Sequence, residues 1–399
     1  MRRLNVFFSG LITLLAVAAC GGGNNSSTQT PKVPFSNLVS FGDSLSDVGA
    51  FQVGSVVTLG GGMYTVNSAT ALNWTQVLAA QLGLSKPCAA QTGLAGDPSY
   101  GFSVTVQNHT SCRNYAQGGS RVLHPWGPGN ANLGGAYATL GELTVPISTQ
   151  ISNHLGVVNG SFAGTELVTV FAGANDLFMQ ATALSVLNSA LTSSPANPSL
   201  FTGYATGIAG WSSADATSVL QAASGGLSAA VAAAAPVMIG QMASVGTALA
   251  NLVKTQIVAK GAKYTLVLNM PNVSKTPYAN SLGDPVLVGL LDAMTNTFNA
   301  SLQAGLAGTA GVKYGDVYTT NTDEINNPAQ YGLSNVTTPA CLLDAAHNLL
   351  GSSLICNATN VRAGDVSTYL FADDVHPTPY GYKLLAQEAA KHLALAGWM

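Results

Sequence analysis

The sequence predicts an α/β protein, a three-layer α/β/α sandwich around a mainly parallel sheet of five strands. Three observations predict it. Short apolar runs, several of them β-branched, recur at 37–41, 113–116, 167–172, 264–269 and 312–317. Between them lie segments with apolar residues at helical spacing, the alternation that gives a parallel sheet covered on both faces. A chain of 399 residues, 47% of them hydrophobic, can fill such a core.

Residues 1–20 read as an export signal, with Arg2 and Arg3 ahead of an apolar stretch, Phe7 to Val17, that is too short to span a membrane. Its end, Val17-Ala18-Ala19-Cys20, resembles a bacterial lipobox, in which Cys20 becomes a lipidated first residue and anchors the protein to a membrane. Residues 21–36 then form a flexible tether. Cleavage after Ala18, giving a free secreted protein, is the alternative. The expected location is the cell envelope (outer membrane) or the medium.

Residues 37–399 are expected to form one domain. Leu38 to Phe41 is the first strand, Gly42 a sharp turn, and Asp43, Ser44, Ser46 and Asp47 are cap and turn residues. The segment predicts strand, turn and helix start, with Ser44 among the unpaired N–H groups of a helix N-terminus. Residues 72–83 have helical spacing and stop at Gly83. Residues 84–112 read as a loop holding Cys88 and Cys112, and 113–116 as a short second strand running into Gly118 and Gly119. Residues 122–141 are loop, with His124, Trp126 and Tyr137 as aromatics that could face a substrate. A helix is expected at 145–155 and the third strand at 167–172. The alanine-rich stretch of about 180–260 reads as inserted helices forming a cap; Gly, Gln and Ser interrupt its most apolar part, which argues for packed helices over a membrane span. The remaining strands are 264–269 and 312–317, with helices at 285–306 and 379–396 and an irregular region at 320–370. Ser44, Gly119 and Asn175 each follow a strand candidate, so they should gather at the carboxyl edge of the sheet.

Charged residues make up only 8% of the chain and the formal net charge is −3, with no basic stripe, which excludes a nucleic-acid partner. If Cys20 carries lipid, Cys88, Cys112, Cys341 and Cys356 remain, an even number suited to an oxidising compartment. Three pairings are open; the closest in sequence are Cys88 with Cys112 and Cys341 with Cys356. No CxxC occurs and no histidine clusters with a cysteine, which argues against a structural metal.

A serine becomes a nucleophile only when a base takes its proton. His376, in the run Asp373-Asp374-Val375-His376-Pro377, is the natural base for Ser44. The other five histidines lie in no such setting and read as surface or loop residues. Four separated blocks, FGDSLSDVG around Ser44, NYAQGGS at 114–120, FAGANDLF at 171–178 and DDVHPTPYGY at 373–382, stand in one order along the chain. In them the sequence resembles the GDSL or SGNH family of serine esterases and lipases. The resemblance implies the SGNH-hydrolase, flavodoxin-like version of the sandwich. It also implies Asp373, rather than its neighbour Asp374, as the acid that orients His376. The oxyanion hole it implies is the Ser44 N–H, Gly119 (rather than Gly118) and the Asn175 side chain. No cofactor or metal is implied. No G-x-S-x-G elbow of the rival hydrolase fold is present. Ala50 after Gly49 departs from the common family pattern, which often has asparagine there. The resemblance implies hydrolysis of carboxylic esters with lipid-like or acyl groups. Carbohydrate O-deacetylation and acyl transfer use the same residues and are the rivals within enzymes. A surface lipoprotein that only binds is the rival outside them.

Overall fold

The computed structural model describes residues 32–193 and 197–399. The expected export signal, Cys20 and most of the tether lie outside the described residues; the last tether residues, 33–36, are packed on the fold instead of free, with Phe35 buried against Tyr264 and the Val33 N–H donating to the Trp398 carbonyl. Four strands, β1 (Leu38–Gly42), β4 (Leu167–Phe171), β5 (Tyr264–Leu268) and β6 (Val312–Gly315), form a parallel sheet in the order β1-β4-β5-β6. Side chains alternate between its faces, as a strand requires. Val39, Phe41, Val168, Val170 and Val267 enter one core, with the helices Ile147–Val157, Ala174–Thr192, Leu227–Leu252 and Pro285–Leu306. Leu38, Leu167, Phe171, Leu266 and Leu268 enter the other, with the helices Trp74–Gln81 and Pro379–Leu395. This is the three-layer sandwich, with four strands instead of five.

The missing strand is 113–116. Asn114 makes single bridges to Ser40 and to Ala89, and no ladder develops. Its side-chain oxygen accepts from the Ala116 N–H, an Asx-type turn that bends the chain after one pair. The exposed rim of β1 is instead closed by pieces: Ser40 exchanges two bonds with Arg113 and Tyr115, and the Gln150 amide brackets Gly42 at both its N–H and its carbonyl. The segment 84–112, expected as loop, contains an antiparallel hairpin, β2 (Gln91–Ala95) with β3 (Ser103–Asn108), closed at its base by the Cys88–Cys112 disulfide. Cys341–Cys356 is the second disulfide. Of the three pairings open in the sequence, the structure has the sequence-local one, and both bonds belong to a chain that meets oxidising conditions.

The helix from 227 is long and apolar enough to cross a bilayer by composition alone. Its face at Ala230, Ala234, Met238, Met242 and Leu249 is fully buried, in the core shared with the 285–306 helix. Gly246 sets the distance between those helices: a Cβ there would lie 2.5 Å from the Phe298 carbonyl oxygen.

Two histidines expected at the surface are buried. His392 pairs with Glu388 within the last helix. His154 lies beneath β1 among Phe41, Tyr115 and Phe162, with Nε2 lacking a partner. Burial, with Arg113 adding to it, pushes its pKa down to about 4. The folded state therefore refuses a proton that the unfolded chain accepts below about 6.5, so this residue costs stability increasingly as pH falls from about 6.5 to about 4. His154→Phe is expected to remove that loss. The Tm difference, variant minus wild type, should rise as the pH of the melt is lowered across that window; a constant difference would contradict the buried neutral imidazole.

Candidate active site

The turn after β1 carries Ser44, at residues 44–46, and no helix starts there. Asp43 Oδ1 accepts the Leu45 N–H, and Asp47 Oδ1 accepts those of Gly49 and Ala50. Gly49, at φ +123°, then turns the chain away from any helical path. The next helix, Gly54–Thr58, has five residues. A helix dipole therefore does not act on Ser44, contrary to the expectation from its cap-forming neighbours. The turn is clamped instead through its carbonyls: the Asn73 amide donates to Leu45 O and the Asn114 amide to Ser46 O. Gly42 is required because a Cβ there would lie 2.7 Å from the Phe171 carbonyl oxygen.

His376 arrives from the loop before the last helix. Its Nε2 lies 2.8 Å from Ser44 Oγ, across 332 positions of sequence. Its Nδ1 lies 2.8 and 2.9 Å from the two oxygens of Asp373. Asp373 also accepts the N–H groups of Val375, His376 and Ser353. Burial alone would raise the Asp373 pKa, but the His376 charge and these hydrogen bonds hold it well below the carboxylate range. For His376, burial would lower the pKa; the Asp373 carboxylate overrides it and, helped by Asp43 and Glu142, leaves it raised. Asp374 is exposed, and its carbonyl accepts the Tyr278 N–H. Asp373 is the residue that meets the imidazole.

Ser353 joins Asp373 to the second disulfide, whose half-cystines are 15 residues apart. Replacing Cys341 and Cys356 by serine is expected to cost about 3 kcal/mol, the value for a loop of that length, and to lower turnover as the Ser353 bond loosens. Denaturant melts and ester kinetics check both parts; wild-type values in both would contradict it.

Gly119 sits at φ +73°. A Cβ on it would run into the Pro128 carbonyl, so the position requires glycine twice over. The preceding Gly118 N–H donates to Asp47 Oδ2, which ties the glycine segment to the serine turn. Asp47, expected as a helix-start residue, is this buried strut. Asn175 is at the start of the 174–192 helix, with its amide donating to the Ser120 carbonyl. Asp176 pairs with Arg121 at 2.9 Å and accepts the Val122 N–H, fixing the end of the same segment. Among the described residues, neither the Ser44 nor the Gly119 backbone N–H has an acceptor.

Ser44, His376, Gly119 and Asn175 line one cavity of about 330 Å³. Its remaining wall is largely apolar, with Tyr137, Leu140, Phe178, Val273 and Leu350. Of the loop aromatics singled out in the sequence, only Tyr137 reaches it; the His124 ring turns to the Gly207 carbonyl through Nε2 and accepts the Trp126 N–H at Nδ1. No described residue between 180 and 260 lines it. Two residues that sequence reasoning missed are there. Tyr64 packs its ring 4.8 Å from the His376 ring, and its hydroxyl donates to Glu142 at 2.5 Å. Both come from irregular stretches with no periodicity to mark them. Burial pushes Glu142 up to about 7. Among the described residues no group of three metal-ligating side chains occurs.

Fold and site together define a class: an α/β protein with serine, histidine and aspartate in one hydrogen-bonded row at the carboxyl edge of a parallel sheet. The chain belongs to the GDSL-like lipase/acylhydrolase family, whose family model matches residues 38–389. Among known proteins it is 30% identical to the GDSL esterase/lipase EXL3 of Arabidopsis thaliana over 141 residues, 33% of this chain and 38% of that protein. It is 34% identical to another Arabidopsis thaliana GDSL esterase/lipase over 82 residues, 21% of this chain and 22% of the relative. The matches thus span well under half of those relatives. An extracellular lipase from Streptomyces rimosus aligns over 89% of this chain and 99% of its own at 16% identity, with a TM-score of 0.37.

Proposed function

We propose that the protein is a serine esterase or lipase that hydrolyses carboxylic esters through an acyl-enzyme on Ser44. The observation that carries this reading is the unbroken row from Ser44 Oγ through His376 to Asp373, with 2.8 Å at each link, opening on an apolar cavity. His376 takes the serine proton as Oγ attacks the ester carbonyl, then returns it to the departing alcohol. Asp373 keeps Nδ1 protonated and balances the imidazolium. The same base activates the water that releases the acid. The carbonyl oxygen, negative in the tetrahedral intermediate, is met by the N–H groups of Ser44 and Gly119 and by the Asn175 amide. The apolar wall suits an acyl chain, so the substrate is a lipid-like or acyl ester.

A fluorophosphonate probe tests the reading: wild-type protein should label on Ser44, and folded protein that fails to label would favour a binding role. Asn175→Ala is expected to cut kcat by ~10²–10³ while the protein still labels; kcat within a factor of two or so of wild type would remove Asn175 from the oxyanion hole.

We further propose export on residues 1–20, lipidation of Cys20 and a tether from residue 21 that ends where residues 33–36 pack on the fold, holding a single catalytic domain (with helices inserted at about 180–260) at a bacterial envelope membrane. The lipobox-like run and the two disulfides support it. Mass spectrometry of the mature N-terminus decides between an acylated Cys20 and a free residue after Ala18.

A further inference from the structure

We propose that Tyr64 and Glu142 act as a positioning pair that holds the His376 imidazole in line with Ser44 and links that restraint to the oxyanion glycine. This rests on the reading of Ser44 and His376 as nucleophile and base. Asp373 grips the imidazole at Nδ1 alone, which fixes its position but leaves the ring free to tilt about that hydrogen-bonded edge. A tilt carries Nε2 off the serine oxygen. The Tyr64 ring, 4.8 Å away centre to centre and inclined by 35°, closes the face through which the imidazole would tilt. Its own orientation is fixed at two points. The hydroxyl donates to Glu142 Oε1, and the Tyr64 carbonyl accepts from Tyr382 Oη, which also approaches the Ser44 carbonyl at 3.4 Å.

The other side of the pair faces the oxyanion segment. A Cβ on Gly118 would run into the Tyr64 hydroxyl, and one on Gly119 would lie 3.0 Å from Glu142 Oε2. Tyrosine and glutamate are therefore wedged between the base and the oxyanion donor, with both side chains buried. The π face turned toward the imidazole also favours the positive charge that forms there when the serine gives up its proton. Neither side chain exchanges a proton with the substrate in this scheme; both act through His376 and Gly119.

The test is steady-state kinetics on Tyr64→Phe, Tyr64→Leu, Glu142→Ala and the double variant Tyr64→Phe/Glu142→Ala, with Ser44→Ala as reference. In the variants that keep Ser44, active sites are titrated with fluorophosphonate so that misfolded protein does not enter kcat; folded Ser44→Ala is quantified by its thermal melt. Tyr64→Phe, which keeps the ring, is expected to lower kcat about tenfold with KM nearly unchanged, and Tyr64→Leu to approach the ~10²-fold loss of a misplaced catalytic group. The double variant should be no worse than its worse parent, because the two residues act as one unit. A change confined to KM, additive losses, or wild-type kcat in both Tyr64→Phe and Glu142→Ala would overturn the pairing. If Ser44→Ala is dead while Tyr64→Phe and Glu142→Ala are both wild type, only the pairing fails. If Ser44→Ala turns over like wild type, the reading of Ser44 as nucleophile fails with it.

Discussion

Ser44→Ala is expected to lower kcat for ester hydrolysis by ~10⁶-fold, the loss seen when a serine nucleophile is removed from such a unit. The fold should be almost untouched. Ser44 Oγ makes its hydrogen bond to His376 and to no other described side chain, and the turn is held by Asp43, Asn73, Asn114 and Asp47. Truncation therefore removes the nucleophile and leaves its backbone N–H and the cavity in place. Residual catalysis from the oxyanion hole and from binding should still exceed the rate in water, by about 10³–10⁴. Steady-state kinetics with a thermal melt on the same preparation is the measurement. Substantial turnover by folded Ser44→Ala would mean that water attacks the ester directly and that no acyl-enzyme forms.

Asp373→Asn is expected to cost ~10⁴ in kcat, with little change from Asp374→Asn. Both Asp373 oxygens face Nδ1, and between them they also accept three backbone N–H groups. An asparagine turns one acceptor into a donor. Either a backbone N–H loses its partner or the imidazole meets an NH₂ group and adopts the wrong tautomer. Asp374 has no contact with the ring. Stability carries the same signature. The folded pKa of Asp373 lies below its ordinary value of 3.8, so its contribution is complete above that value and is lost as pH falls through the folded pKa. Comparing kcat for the two asparagine variants decides the assignment; equal losses would show that the loop, and not the specific carboxylate, matters.

The parallel sheet was legible because its strands are buried on both faces and read as unbroken apolar runs, as in Leu167–Phe171 and Tyr264–Leu268. Helix limits such as Pro285 and Gly83 were legible because proline and glycine act on the backbone locally. The run at 113–116 misled because its apolar pattern says nothing of Asn114 bending the chain by its own side chain. Asp43 and Asp47 misled for a related reason: acidic residues that cap helices also cap turns, and Gly49 decided between the two. Ser44 and His376 were legible from residue type, and Asp373, Gly119 and Asn175 from the resemblance to the GDSL family that the four compact blocks carry. Tyr64, Glu142 and Ser353 reach the cavity or the carboxylate from irregular stretches. Their contacts are tertiary, and no spacing along the chain encodes them.

The wide separation of Ser44 and His376 has a consequence for how the enzyme matures. A growing or threading polypeptide presents its serine early, within β1 and its turn, yet owns no proton acceptor until the last few dozen residues have emerged. A product that ends before His376 is expected to be inert, and hydrolytic competence should switch on in one step. C-terminal truncations ending before residue 373, probed for labelling by fluorophosphonate, should stay blank however much of the sheet they retain.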